Sequence, residues 1–214
     1  MSHIHVVTDS CACVPPSLVR ELGIQVVPLT VYFGDEAYLD GVDLSAEEFY
    51  HRLRVSERLP TTSQVRPDQF EAAFDRILVE DPATEAIVVC TLSSGVSATY
   101  ASAQQVASQF ARTRVLPVDT QLAAIAEGFV AIEAARWAGA GHSVEEVLDH
   151  AAEISQGIHF VGVVDTLEYL RKGGRIGRAA AWAGTLLNVK PLITIRGDVG
   201  PVGRVRSRKR ALQY

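Results

Sequence analysis

Apolar runs rich in β-branched residues alternate along this chain with segments of helical periodicity, and this alternation constrains the fold most strongly. Residues 4–8, 86–91 and 115–119 are typical of buried strands. Residues 97–110 and 121–138 space their apolar side chains as a helix does. The pattern predicts an α/β fold whose main sheet is mostly parallel and flanked by helices.

Local signals predict further elements of this first part of the chain. Pro67 opens a helix with Phe70 and Phe74 on its apolar face. Residues 25–33 are expected to form one long strand, because apolar and β-branched side chains dominate them. The polar residues 60–64 are expected to be irregular.

The chain changes character near residue 155. Strands are predicted at residues 160–164, 192–195 and 202–205, with a turn at 197–200 joining the last two. An apolar helix is predicted over residues 179–187. The apolar stripe of that helix would consist of Trp182, Leu186 and Leu187.

Length and composition agree with a globular protein of one large domain or two small ones, and the change near residue 155 favours two. The 214 residues are 48% hydrophobic and 21% charged, close to globular averages. We therefore predict an amino-terminal α/β domain over residues 1–155 and a smaller mixed α/β domain over residues 156–214. No apolar run is long enough to cross a membrane, and the first residues do not look like a signal peptide. Three cysteines do not make a disulfide framework, so a reduced, cytoplasmic setting is expected.

The charges are distributed unevenly. Residues 1–164 hold 22 acidic and 9 basic residues, whereas residues 165–214 hold 3 acidic and 11 basic ones. Such a basic segment could bind nucleic acid, bind an anionic ligand or pack against the acidic part of the chain. The overall pI near 5.7 argues against a nucleic-acid-binding protein.

Three polar loops follow or adjoin the predicted strands: residues 8–10, 61–64 and 93–95. In an open α/β sheet, ligands bind beyond the carboxyl ends of the strands, where helix starts expose backbone amides. Hydroxyl groups beside such amides suit a carboxylate or a phosphate. The alternative is that these residues only cap helices and form turns.

Motifs for several enzyme classes are missing from the sequence. It has no Gly-x-Ser-x-Gly elbow, no Walker A sequence and no Gly-x-Gly-x-x-Gly. His3 and His5 precede Cys11 and Cys13, but this group lacks the spacing of a four-ligand metal site. We therefore predict no catalytic residue, no metal and no cofactor, and interpret Asp9 as a carboxylate that organises its loop.

Two arginines of the basic segment are candidates for binding an anion. Arg175 and Arg206 each follow a glycine-containing turn. A guanidinium group can bind a carboxylate or a phosphate through two parallel hydrogen bonds. The alternative is that both are solvated surface residues.

Several short motifs together resemble the DegV family across essentially the whole chain. They comprise Val7-Thr-Asp-Ser10, Pro60-Thr-Thr-Ser-Gln64, Leu92-Ser-Ser-Gly-Val-Ser97, Asp165-Thr-Leu-Glu-Tyr-Leu170, Lys172-Gly-Gly-Arg-Ile176, Lys190-Pro-Leu-Ile193 and Arg206-Ser-Arg-Lys-Arg-Ala211. The resemblance implies two α/β domains that hold one long-chain fatty acid in an apolar tunnel between them. It also implies a non-catalytic carrier subunit of bacterial fatty acid kinase, which presents the carboxylate to a separate kinase protein.

The resemblance also implies the positions of the head-group site. It would consist of Thr62, Ser63, Ser93, Ser94, Gly95, Arg175 and Arg206. Independently of the resemblance, we interpret Asp9 and Ser10 as residues that organise the adjoining loop. Transient membrane contact is compatible with such a carrier. The rival interpretations are an enzyme acting on a small anionic metabolite and a protein with only an interaction role.

Three features depart from the family pattern. Ala98 stands where a glycine is common, and Val65-Arg66 stands where a proline is usual. Family chains usually continue past the position of Tyr214 through further strands and a loop containing His-Thr-Gly. We therefore expect the second domain to be incomplete in this sequence, and its strands at 192–195 and 202–205 to leave an edge open to self-association.

Overall fold

The computed structural model describes residues 3–182 and 189–214. The described strands are β1 (Ile4–Asp9), β2 (Gln25–Val27), β3 (Thr30–Phe33), β4 (Glu36–Leu39), β5 (Thr61–Ser63), β6 (Ala86–Thr91), β7 (Arg114–Asp119), β8 (Gly162–Val163), β9 (Lys190–Arg196) and β10 (Asp198–Val205). The described helices are α1 (Pro16–Leu22), α2 (Ala46–Val55), α3 (Pro67–Glu80), α4 (Thr99–Gln109), α5 (Ile125–Gly139), α6 (Val144–Gly157), α7 (Glu168–Lys172) and α8 (Arg208–Ala211). Short 3₁₀ helices cover Ser10–Ala12 and Gly177–Trp182.

The central sheet is parallel and has the strand order β2-β1-β6-β7. Successive side chains of a strand point to opposite faces, and both faces of this sheet are covered. Val6 and Val88 pack on one side in a cluster with α5 and α6, while Val7 and Val89 pack on the other with α3 and α4. The predicted α/β architecture with a parallel sheet flanked by helices is confirmed.

The single strand predicted over residues 25–33 is wrong. Its first part is β2, in the central sheet, and its second part is β3, in a separate antiparallel sheet of order β4-β3-β5. Pro28 stands between them, and because proline has no N–H it cannot donate a ladder hydrogen bond at this point. The irregular structure expected for residues 60–64 is also wrong in part, since Thr61–Ser63 pairs with β3 as β5.

The carboxyl-terminal strands form an antiparallel sheet of order β10-β9-β8. The turn predicted over residues 197–200 is shorter than expected: Asp198 already pairs with Arg196, and Gly197 alone turns the chain with a φ of 74°. Glycine adopts this left-handed conformation without steric cost. The helix predicted over residues 179–187 is a 3₁₀ helix up to Trp182, and its remaining residues, including Leu186 and Leu187, lie outside the described residues.

Helices α4 and α5 begin later than the sequence pattern predicted. Ser97 accepts a hydrogen bond from Thr99 N with its side chain, so the chain turns before α4 begins. Gln121 and Ala124 both have a φ of 55°, which a right-handed helix cannot contain, so α5 begins at Ile125. Both shifts lengthen the loops at the carboxyl ends of β6 and β7.

Contacts tie the carboxyl-terminal sheet to the central part of the molecule. The guanidinium group of Arg196 donates hydrogen bonds to the carbonyl oxygens of Ser155 and Ile158, both at 2.8 Å. Gly197 N donates to Gln121 O at 3.0 Å. The division into domains at residues 155 and 156 stays a prediction. Within the described ranges, none of the helices is both long and apolar enough for a membrane span.

Candidate functional site

A cavity of about 330 Å³ lies where the loop after β6, the small sheet with β5, and the carboxyl-terminal sheet meet. Its volume falls within the range of roughly 300–1,000 Å³ that small-molecule sites occupy. Its lining is mainly apolar, with a smaller set of polar groups, as such sites usually are. The lining residues are Cys11, Leu29, Val31, Asp40, Thr62, Ser63, Gln64, Leu92, Val96, Ser97, Ala123, Leu170, Arg175, Ile195 and Val199.

Strand β5 contributes two of the hydroxyl-bearing residues that line this cavity, and Ser97 is a third. Thr62 pairs with Val31 of β3, which fixes its position on a regular ladder. Its side chain is exposed, whereas that of Ser63 is half-buried and donates a hydrogen bond to Gln64 O at 3.3 Å. Two of the predicted head-group residues therefore lie together on the cavity wall.

Arg175 supplies a positive charge to the same cavity. Its Nε donates to Val96 O at 3.3 Å, and its Nη1 donates to Gly173 O at 2.6 Å. These partners are neutral carbonyl groups, so they orient the guanidinium group without cancelling its charge. The arrangement suits an anionic group bound near Thr62 and Ser63.

The structure places Ser93 differently from the expectation of an exposed ligand loop. Its side chain is fully buried, its hydroxyl donates to the carbonyl oxygen of Gly197, and its Oγ accepts from Gly95 N at 3.2 Å. Ser93 N also donates to Leu122 O at 2.8 Å. The hydroxyl and the amide therefore have partners within the protein, and the tip of the β9–β10 hairpin covers them.

Ser94 and Gly95 also lie outside the lining of the cavity. The Oγ of Ser94 donates to Asp119 Oδ2 at 2.6 Å, and its N donates to Asp119 Oδ1 at 3.2 Å. Gly95 lies so close to Gly197 that a Cβ atom would stand 2.3 Å from its carbonyl oxygen. This loop thus holds the hairpin against the end of β6.

Arg206 is exposed just after β10 and is not among the residues that line the cavity. The structure therefore brings Thr62, Ser63 and Arg175 together at one cavity. It leaves Ser93, Ser94 and Gly95 in the adjoining loop and Arg206 farther along the chain.

Asp9 and Ser10 join the loops around the ends of the strands. Asp9 Oδ1 accepts from Cys11 N at 2.9 Å, and its Oδ2 accepts from Leu92 N at 3.0 Å. Ser10 Oγ donates to Asp40 Oδ2 at 2.7 Å. Burial raises the pKa of Asp9 to about 6, although both backbone hydrogen bonds oppose that rise.

Glu127 is a buried acid for which the sequence analysis assigned no role. It lies on α5 with 0% of its surface exposed, and its Oε1 accepts from Thr8 Oγ1 at 3.3 Å. Burial, followed by the nearby charge of Asp9, raises its pKa well above the usual value. Its position as a single glutamate in the apolar stretch at the start of α5 is the sequence feature that marks Glu127 as a buried acid.

The structure separates the histidines and cysteines that the sequence places near one another. His3 and His5 lie at the start of β1. The Nδ1 of His3 and the Nε2 of His5 are each 2.9 Å from Asp81 Oδ2. Cys11 and Cys13 follow the opposite end of the same strand. A four-ligand site made of these two pairs is therefore not formed.

Comparison with known sequences matches nearly the whole chain to one family. The sequence model of the DegV family, described as uncharacterised proteins, matches residues 3–214. A DegV domain-containing protein of Halalkalibacterium halodurans is 36% identical over 212 residues, which cover 99% of this chain and 74% of that protein.

Solved structures of similar fold are described as fatty acid binding. One is a DegV family protein from Thermus thermophilus whose structure is described by its fatty acid binding. It has a TM-score of 0.90 and 36% sequence identity to this chain, and the match covers 100% of this chain and 75% of that one. DegV from Bacillus subtilis, described as a fatty acid binding protein, has a TM-score of 0.87 and 32% identity over the same shares of both chains.

Proposed function

Because this chain belongs to the DegV family, we propose that it binds one long-chain fatty acid and presents the carboxylate to a separate fatty acid kinase. The observation that carries the proposal is the cavity in which Thr62, Ser63 and Arg175 share a wall with an otherwise mostly apolar lining. Fatty acid binding by the similar Thermus thermophilus protein supports it.

The polar side of the cavity fits the head group of such a ligand. A carboxylate accepts hydrogen bonds from hydroxyl groups and from a guanidinium group, and bonds of this charge-assisted kind are about twice as strong as neutral ones. The Arg175 guanidinium, held by Val96 O and Gly173 O, carries a charge of the sign that a carboxylate requires. In the proposal, Thr62 supplies one neutral donor, and Ser63 supplies another by turning its hydroxyl from Gln64 O to the ligand.

The apolar side fits the acyl chain. Leu29, Val31 and Leu92 line the cavity from the amino-terminal sheets, and Ile195 and Val199 line it from β9 and β10. Burying a methylene group contributes about 0.8 kcal/mol, so a long chain gains more from this lining than a short polar metabolite does. Part of that gain offsets the cost of association.

The direct test is to identify what the purified protein carries. Protein prepared without added lipid is examined by native mass spectrometry, and its extract in organic solvent is analysed for small molecules. We expect one fatty acid per chain. A polar metabolite in its place would favour an enzyme, and a clean chain that also fails to bind a fluorescent fatty acid at micromolar concentration would contradict the proposal.

The head-group assignment is tested by a matched pair of arginine variants. Arg175→Gln should weaken fatty acid binding about tenfold or more, because a charge-assisted hydrogen bond contributes roughly 1.5–3 kcal/mol. Arg206→Gln removes the same charge from a residue outside the cavity lining. If both variants lose the same affinity for fatty acid, the effect is a general electrostatic one. If Arg175→Gln binds fatty acid as tightly as wild type does, Arg175 does not contact the head group.

The carrier role predicts that phosphoryl transfer requires a second protein. The sequence holds no nucleotide-binding motif of the Walker A or Gly-x-Gly-x-x-Gly type. We expect the loaded chain and ATP to give acyl phosphate only when a fatty acid kinase is added. ATP turnover by the purified chain alone, abolished by Thr62→Val, would overturn the carrier role. A cytoplasmic location with transient membrane contact belongs to the same proposal.

A further inference from the structure

Three potential metal ligands meet beside the ligand cavity: Asp9 and Cys11 from one segment of the chain, and Glu127 from a distant one. One side-chain atom each from Asp9, Cys11 and Glu127 lies within 4.8 Å of the other two. Asp9 and Glu127 are fully buried, and Cys11 is half-buried. Asp9 ends β1, whereas Glu127 lies in the first turn of α5, so only the packing of α5 against the sheet brings them together.

The buried acids of this cluster are incompletely satisfied. Each oxygen of Asp9 accepts one backbone hydrogen bond, and Glu127 Oε1 accepts from Thr8. Glu127 Oε2 is inaccessible to solvent and accepts no hydrogen bond from a donor among the described residues. The carboxyl groups of Asp9 and Glu127 can hydrogen-bond each other only while one of them carries a proton. A buried carboxylate without a counter-charge is costly, so the pair requires either a bound proton or a cation.

The ligand set indicates which cation would fit. We propose that Asp9, Cys11 and Glu127 form a binding site for a divalent transition metal of the zinc class, a site separate from the fatty acid head group. A thiolate sulfur selects such metals over magnesium or calcium, and zinc binds carboxylate oxygens as well. Zinc bonds its ligands at about 2.0–2.3 Å, and the three ligand atoms of this cluster lie within 4.8 Å of one another.

The cavity gives the cluster a route to solvent. Cys11 lines the same cavity as Thr62 and Arg175, so an ion can reach the sulfur from the side on which the fatty acid would bind. Binding would form metal–sulfur and metal–oxygen bonds, and it would release to solvent both the thiol proton and the proton otherwise held by the acid pair. The three side chains leave a fourth coordination position for water on the cavity side.

Two neighbouring cysteines provide a sharp test. The full chain is stripped with a chelator, and Co²⁺ is added as a spectroscopic probe, followed by competition with Zn²⁺. We expect one equivalent of Co²⁺ to give the near-ultraviolet charge-transfer band of a cobalt–thiolate bond, and Zn²⁺ to displace it. The band should disappear in Cys11→Ser and persist in Cys13→Ser, whose thiol follows in the same segment outside the cluster.

Two further variants separate this site from others. Glu127→Gln keeps the shape of the side chain and should weaken Co²⁺ binding at least tenfold, a loss typical of disturbing a metal site. His5→Ala removes the surface group around Asp81 and should leave the thiolate band unchanged. Circular dichroism checks that each variant is folded.

Because an ion reaches Cys11 through the ligand cavity, the Co²⁺ titration uses protein from which bound lipid has been removed. If folded wild-type protein gives no thiolate band at saturating Co²⁺, the acids hold a proton rather than a metal and the proposal is overturned. A band that persists in Cys11→Ser would overturn it as well. Fatty acid occupancy, measured on the same preparations before the lipid is removed, reports separately on the proposed function.

Discussion

The hydroxyl group of Ser93 donates a hydrogen bond to the carbonyl oxygen of Gly197, 104 residues later in the chain. The bond joins the loop at the carboxyl end of β6 to the tip of the β9–β10 hairpin. Ile195 and Val199, on either side of that tip, line the proposed ligand cavity. The position of one cavity wall therefore depends on how this hairpin is held.

Gly95→Ala should loosen the hairpin. A Cβ at this position would lie 2.3 Å from Gly197 O and 2.7 Å from its carbonyl carbon, so backbone must shift. Such overpacking costs roughly 1–3 kcal/mol, and fatty acid affinity should fall with it. Denaturant midpoints and a fluorescent fatty acid titration measure both effects.

Gly139→Ala is the matched control for that substitution. Gly139 ends α5 without a positive φ, and a Cβ at this position would meet open space within the described part of the chain. Alanine in a helix is favoured over glycine by about 0.5–1 kcal/mol, so this variant should be as stable as wild type or more so. A similar loss in both variants would contradict the close-approach argument at Gly95.

Ser93→Ala and Thr62→Val should have different effects. Loss of the buried Ser93 hydroxyl leaves Gly197 O and Gly95 N without this partner, which costs about 1–3 kcal/mol of stability. Thr62 is exposed on β5, so Thr62→Val should leave stability within about 0.5 kcal/mol while weakening fatty acid binding. Unfolding curves and binding titrations of both variants distinguish the two roles; a destabilised Thr62→Val or a fully stable Ser93→Ala would contradict them.

Asp81 should make stability depend on pH in the acid range. Hydrogen bonds from His3, then from His5, lower the pKa of Asp81 from 3.8 to about 2. Because the pKa of Asp81 is lower in the folded state than in the unfolded state, ionised Asp81 stabilises the fold at pH values above its unfolded-state pKa. This stabilisation is lost as the pH falls through the folded-state pKa. The urea midpoint of wild type should therefore exceed that of Asp81→Asn at pH 6, and the difference should shrink between about pH 4 and pH 2. If the difference between the two urea midpoints stays constant over this range, it does not come from the lowered pKa of Asp81.

Self-association through the carboxyl-terminal strands also stays a prediction. Strand β9 pairs with β8 and β10, whereas β10 lies at the end of its sheet and pairs only with β9 among the described strands. An open strand edge can pair with another chain, and the basic residues after 164 would be attracted to the acidic remainder over about 8 Å at physiological salt.

Light scattering over a range of concentrations, with hydrogen exchange of residues 190–210, measures this association. We expect the apparent mass to rise with concentration and the β10 amides to become better protected at the same time. A constant monomer mass with unchanged exchange at high concentration would show that the β10 edge does not pair between chains.

Signals from neighbouring residues were sufficient to predict much of the central architecture. The apolar run of β6 and the spacing of Phe70 and Phe74 on α3 each follow from a local period, so they predicted a buried strand and an amphipathic helix. The alternation of such elements was enough for the α/β class. The pattern failed around Pro28, where apolar side chains continue but the chain passes from β2 in the central sheet to β3 in a separate sheet.

The sequence by itself determined the type of these elements and the chemistry of the polar loops, because both depend on residues that are near one another in the chain. It also showed Thr62, Ser63 and Arg175 as candidate residues, and the tertiary structure gathered them at one cavity. Only that structure buried Ser93 beneath Gly197 and set Glu127 beside Asp9. Those arrangements depend on how β9–β10 and α5 pack against the central sheet, and packing between distant segments leaves no local period in the sequence.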